Sequence, residues 1–155
     1  MKRILLALSV LFSIPISGDA ADKLPQQILG GKPAATSSGS GSYFDGQGSF
    51  AGRSSTSGGS TRLYDSRGAL AGRVEASKDS TRMYDRNGAF AGRSATSGNS
   101  TTYYDSKGAI SGRGVVSGST TRFYNSKGAY SGKAETSSGT ARYYDATGKL
   151  VGSKK

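Results

Sequence analysis

A twenty-residue period constrains this chain more than any other feature, running from Phe44 to Gly152 without insertion or deletion. An aromatic residue heads each unit: Phe44, Tyr64, Tyr84, Tyr104, Tyr124 and Tyr144. Asp or Asn follows at once: Asp45, Asp65, Asp85, Asp105, Asn125 and Asp145. One glycine column runs Gly48 to Gly148 and a second Gly52 to Gly152. A cation follows the second glycine: Arg53, Arg73, Arg93, Arg113 and Lys133, with Ser153 in the last copy. A strict period of this length means equivalent units, each burying its apolar side chains against its neighbours.

Each unit offers two strands and two turns. The segment STRLYD (60–65) is rich in strand formers, and a weaker small-residue strand follows Ala69. Asp65-Ser66-Arg67-Gly68 fits a turn opened by Asp and closed by a left-handed Gly. Gly58-Gly59 and its counterparts suit two-residue hairpin turns. No 3.6-residue apolar stripe argues for helix. The expected fold is therefore all-β, with six 20-residue antiparallel β-hairpin repeats over 37–155. A closed flower- or barrel-like array, with strand 149–153 on strand 43–45, is preferred to an open meander sheet, which would leave edges to guard.

Parity assigns the faces. A two-residue turn pairs Arg53 with Tyr64. A four-residue second loop pairs Tyr64 with Ala69 and keeps Arg53 and Arg73 on one side, whereas a three-residue loop needs a bulge to do so. The four-residue loop is the expectation. It puts Leu63, Met83, Tyr103, Phe123 and Tyr143 in the core together with Leu70, Phe90, Ile110, Tyr130 and Leu150. Phe90→Ala is then expected to cost about 3–5 kcal/mol, and Tyr84→Ala less. The outer face would carry Arg62, Tyr64 and Arg73 over a bed of Ala69 and Ala71.

Composition narrows the chemistry. The chain has no His and no Cys. Imidazole- and thiolate-based catalysis, thiolate zinc sites and disulfides are thereby excluded. The Asp column is expected to accept backbone N–H bonds in turns rather than bind metal, and no cofactor or enzymatic activity is expected. Residues 1–20 read as a secretory signal peptide: Lys2 and Arg3, a short apolar run, then Ser17-Gly18-Asp19-Ala20-Ala21. Residues 21–36 read as a flexible linker. Cleavage removes Lys2, Arg3 and Asp19 from 21 cations and 10 acids, leaving +10. The mature chain has no apolar run long enough to cross a membrane as a helix. A periplasmic or extracellular location follows.

The signatures TRLYDSRGALAGR (61–73) and ARYYDATGKLVG (141–152) resemble the YD repeats of Rhs and teneurin-type shells, and the small exported bacterial proteins described as β-flowers. The resemblance spans 43–152 and implies β-hairpin repeats on a secreted protein, with no catalysis from the repeats. YD shells are far longer than this chain, and the named flowers are five-fold, whereas six signatures stand here.

Tyr offers a flat stacking surface and Arg a fork for sulfate, phosphate or carboxylate. The candidate ligand-binding residues are Tyr64, Tyr84, Tyr104, Tyr124 and Tyr144, with Arg53, Arg73, Arg93, Arg113 and Lys133, and with Arg62, Arg82, Arg122 and Arg142. The expected partner is an acidic polysaccharide, lipopolysaccharide or another envelope polyanion. Nucleic acid is disfavoured, since no nucleic-acid motif appears and the head directs export. The alternatives are a structural or assembly protein of the envelope, or a secreted effector or inhibitor working through protein contacts.

Overall fold

The computed structural model describes residues 38–155. The expected signal peptide and linker, and Ser37, lie outside the described residues. Twelve strands follow in chain order: β1 (Gly39–Asp45), β2 (Phe50–Ser57), β3 (Ser60–Asp65), β4 (Leu70–Ala76), β5 (Ser80–Asp85), β6 (Phe90–Ser97), β7 (Ser100–Asp105), β8 (Ile110–Ser117), β9 (Thr120–Asn125), β10 (Tyr130–Ser137), β11 (Thr140–Asp145) and β12 (Leu150–Lys154). Each pairs antiparallel with its sequence neighbours. β1 also pairs with β12, so the sheet closes into a barrel. Closure runs through Tyr43↔Lys154, Phe44↔Ser153 and Asp45↔Gly152. Ser42 and Lys155 add two reciprocal backbone bonds of 2.9 Å. The closed all-β array expected from the repeat is therefore the fold, and closure leaves neither terminal strand as an open edge.

The two-residue turns are as expected. Ser57 faces Ser60 across Gly58 and Gly59, whose φ values of 57° and 81° suit a type I′ turn. The other loop corrects the expectation, because it holds three residues rather than four. Asp65 N–H donates to the Ala69 carbonyl at 2.9 Å, and Gly68 N–H donates to the Asp65 carbonyl at 3.0 Å. The Asp65 carboxylate accepts from the backbone N–H groups of Arg67 and Ala69, both at 2.9 Å. Asp85, Asp105, Asn125 and Asp145 make the same pair of bonds. At Asp145 the Thr147 hydroxyl, aided by backbone N–H groups, lowers the carboxyl pKa.

Tyr64 therefore faces Leu70, and a bulge at Ala71 brings Gly72 opposite Leu63. The bulge repeats in every copy. One extra residue restores the parity that the odd loop would break, so Arg53 and Arg73 still share the outer face. It also reverses one column. Leu70, Phe90, Ile110, Tyr130 and Leu150, expected in the core, stand outside with Phe50 and are 37–55% exposed. Ala71 turns toward the core around Leu63 and Val74, and Ala69 closes the loop, so neither forms a bed under the Tyr ring.

The inner column is as expected. Leu63, Tyr103, Phe123 and Tyr143 are buried, with Tyr43 beside them and Met83 partly buried. These side chains form two clusters. One is built on Tyr103, Phe123 and Tyr143 with Ala134 and Ala141. The other is built on Tyr43, Leu63 and Val74. Hydroxyl pairs satisfy inward polar groups nearer the two-residue turns: Thr81–Ser94 at 2.6 Å and Thr96–Thr101 at 2.9 Å.

One inward group is left over among the described residues. The Tyr103 hydroxyl is buried without a hydrogen-bond partner. Burial raises the Tyr103 pKa, and burial, then the neighbouring Tyr43, raises that of Tyr143. In the unfolded chain a tyrosine ionises near 10.0. The stabilisation from keeping both hydroxyls protonated is thus complete below that pH and is lost as pH rises toward the folded values. The loss is about 1.4 kcal/mol per pH unit for each group. Denaturant melts between pH 9 and 12 are expected to show this decline, and Tyr103→Phe to flatten it. At neutral pH, Tyr103→Phe is expected to stabilise by about 1 kcal/mol, because it removes an unsatisfied buried hydroxyl. A variant that matched the parent at both ends of the range would contradict the assignment.

Candidate binding belt

The outer face is built by register. Each two-residue turn places the cation after the second glycine directly opposite the Tyr of the next strand: Arg53↔Tyr64, Arg73↔Tyr84, Arg93↔Tyr104, Arg113↔Tyr124 and Lys133↔Tyr144. Every such pair is a cation–π contact. The guanidinium carbon lies 4.9, 4.8, 4.1 and 5.6 Å from the ring centroid in the first four pairs, and Lys133 Nζ lies 5.1 Å away in the fifth. Ser153 takes the cation's place opposite Phe44, and Lys155 reaches that ring instead, at 5.4 Å.

Arg62, Arg82, Arg122 and Arg142 also point outward and are exposed. They face Arg73, Arg93, Lys133 and Ser153 across the hairpin. All fourteen residues expected from sequence therefore lie on the outer surface of one barrel. Among the described residues, two of these cations have acidic partners: Arg73 with Glu75 at 3.2 Å and Lys133 with Glu135 at 2.6 Å. The Glu135 hydrogen bond raises the Lys133 pKa. Both pairs are substantially exposed, so they contribute little to stability.

The exposed apolar column is the part of the belt that sequence reasoning placed wrongly. Phe90 meets Tyr84 edge-on, with ring centroids 6.2 Å apart, and Tyr130 meets Tyr124 and Phe50 meets Phe44 at the same distance. The available signal was the three-residue reading of D-x-x-G with a compensating bulge. A further cation, Lys154, faces inward, with Nζ 5.6 Å from the Tyr43 ring.

The belt is thus a repeated set of stacked cation, tilted aromatic ring and exposed apolar side chain. Such a surface can grip an anionic group and lay a flat, partly apolar ring beside it. The Asp column lies outside this chemistry, since its carboxylates serve the loops. No group of three metal-binding side chains occurs among the described residues. Among the described residues no helix is long and apolar enough to cross a membrane. The outward cation columns also differ from the tall apolar band of a lipid-spanning barrel. No protein-family model matches the chain, and a search of curated proteins finds no match.

Proposed function

We propose that this is an exported, non-enzymatic β-barrel that binds an acidic glycan or another envelope polyanion through its Tyr and Arg columns. The observation that carries this reading is the stacking of a cation on the repeat-heading aromatic in each of the six repeats. Stacking holds each cation in place over a partly exposed ring, and the apolar neighbour stays exposed. The net charge supplies long-range attraction, which salt screens. The assembly alternative requires a sheet edge free to pair with another chain. Pairing of β1 with β12 takes up both terminal strands, and this favours the glycan reading.

Retention on a sulfated-polysaccharide column across a salt gradient tests the proposal. The barrel is expected to hold well past physiological salt, and a Tyr64→Ala/Tyr84→Ala/Tyr104→Ala variant to elute early. Since these rings are on the outer face, the variant keeps its core. Elution of both proteins together in dilute salt would defeat the reading.

A further inference from the structure

Followed across the strands rather than along them, the register arranges the belt into oblique rows. Arg62 on β3 faces Arg73 on β4, Arg73 faces Tyr84 on β5, and Tyr84 faces Phe90 on β6. The order is cation, cation, aromatic, apolar, over four neighbouring strands about 4.8 Å apart, or about 14 Å in all. The same order runs from Arg82 and Arg93 to Tyr104 and Ile110. It recurs from Arg122 and Lys133 to Tyr144 and Leu150. The other three rows have one cation in register, because their leading pairs are Ser42↔Arg53, Thr102↔Arg113 and Arg142↔Ser153, the last with Lys155 reaching its Phe44 ring from outside the row.

The two-cation rows work against the fold. Like charges directly opposite on an antiparallel pair repel. The one-cation rows form the same hairpin, so the barrel does not need the second cation. Arg82 stands opposite Glu75 on β4, but Glu75 makes its ion pair with Arg73. A like-charge pair that the fold does not require, beside a stacked ring and an exposed apolar side chain, suits the binding of an anionic group.

Resting on the polyanion reading above, we infer that the row is the unit of recognition and that the three two-cation rows are the binding sites. Each takes a short acidic oligosaccharide. Its sulfate, phosphate or carboxylate sits between the paired cations, the adjoining sugar lies along the part of the Tyr ring that the stacked cation leaves open, and the next sugar lies against the apolar side chain. The Arg82–Arg93 row is the strongest of the three, since Arg73 and Lys133 in the others already contact Glu75 and Glu135.

Two triple variants separate this inference from attraction by net charge. Arg62→Ser/Arg82→Ser/Arg122→Ser leaves each of the three two-cation rows with one cation, whereas Arg67→Ser/Lys107→Ser/Lys127→Ser removes the same charge from the three-residue loops outside the rows, where only the backbone N–H groups serve the turn. All six residues are exposed, so both variants are expected to fold. Calorimetric titration with a heparin-derived tetrasaccharide is expected to fill three sites on the parent barrel, one per two-cation row. The first variant should bind about tenfold more weakly or worse. The second should stay within about threefold of the parent. Equal weakening of the two would overturn the row as the unit and leave the polyanion reading standing. A parent barrel that bound neither the tetrasaccharide nor the sulfated column would overturn the polyanion reading itself.

Discussion

Gly92→Ala is expected to destabilise the barrel by about 3 kcal/mol or more, whereas Gly88→Ala, four residues earlier, costs about 1–2 kcal/mol. Both glycines have positive φ, 151° and 81°. They differ in what a methyl group would meet. At Gly88 there is open space, so only the left-handed backbone penalty applies. At Gly92 a Cβ would lie 2.5 Å from the Tyr104 carbonyl oxygen. That oxygen belongs to the neighbouring strand's backbone and cannot swing aside as a side chain would, so β6 and β7 must separate. Gly72 repeats the approach at 2.7 Å from the Tyr84 carbonyl oxygen. Urea midpoints of the two variants against the parent measure the difference. Equal losses would mean that the second glycine column serves backbone conformation alone.

The second large effect concerns the two apolar columns. Phe123→Ala is expected to cost about 3–5 kcal/mol, and Phe90→Ala about 1 kcal/mol. Phe123 is 4% exposed and packs in a cluster with Tyr103 and Tyr143. Its truncation leaves a cavity that the barrel wall cannot collapse to fill. Phe90 is 41% exposed, and its main ring contact is the edge-on one with Tyr84. This order replaces the one that a four-residue loop implies, in which Phe90 is core. Thermal or urea denaturation of the two variants decides it: a larger loss at Phe90 would place the bulge, and the whole outer belt, in the wrong phase.

Much of this was legible in the repeat. Exact recurrence of Tyr, Asp, Gly and Arg required equivalent hairpins. Equivalence required Arg53 and Arg73 to share a face, and the Leu63 column follows inward from that parity. The turn role of Asp65 was also readable, because an Asp three residues before a Gly has backbone N–H groups within reach of its carboxylate. The Leu70 column was not readable. Apolar character alone cannot tell a core position from an exposed one when a single bulged residue reverses the phase between Tyr64 and Gly72. Two loop geometries, one with a bulge and one without, satisfy the same parity rule and differ only in where the intervening large side chain points.

The amino-acid sequence by itself determined the unit, the number of copies, the strand order and the stacked Arg–Tyr pairs, because each rests on contacts between residues close along the chain. Only the tertiary structure decided that the ring closes through Tyr43↔Lys154, that Phe90 and its counterparts stand outside, and that Arg82 and Arg93 face each other in a row leading to Tyr104 and Ile110. The physical reason is that register accumulates around a barrel. Each bulge adds one residue on one strand only, and which side chains finally lie abreast across four strands is set by the sum of those shifts and not by any one repeat.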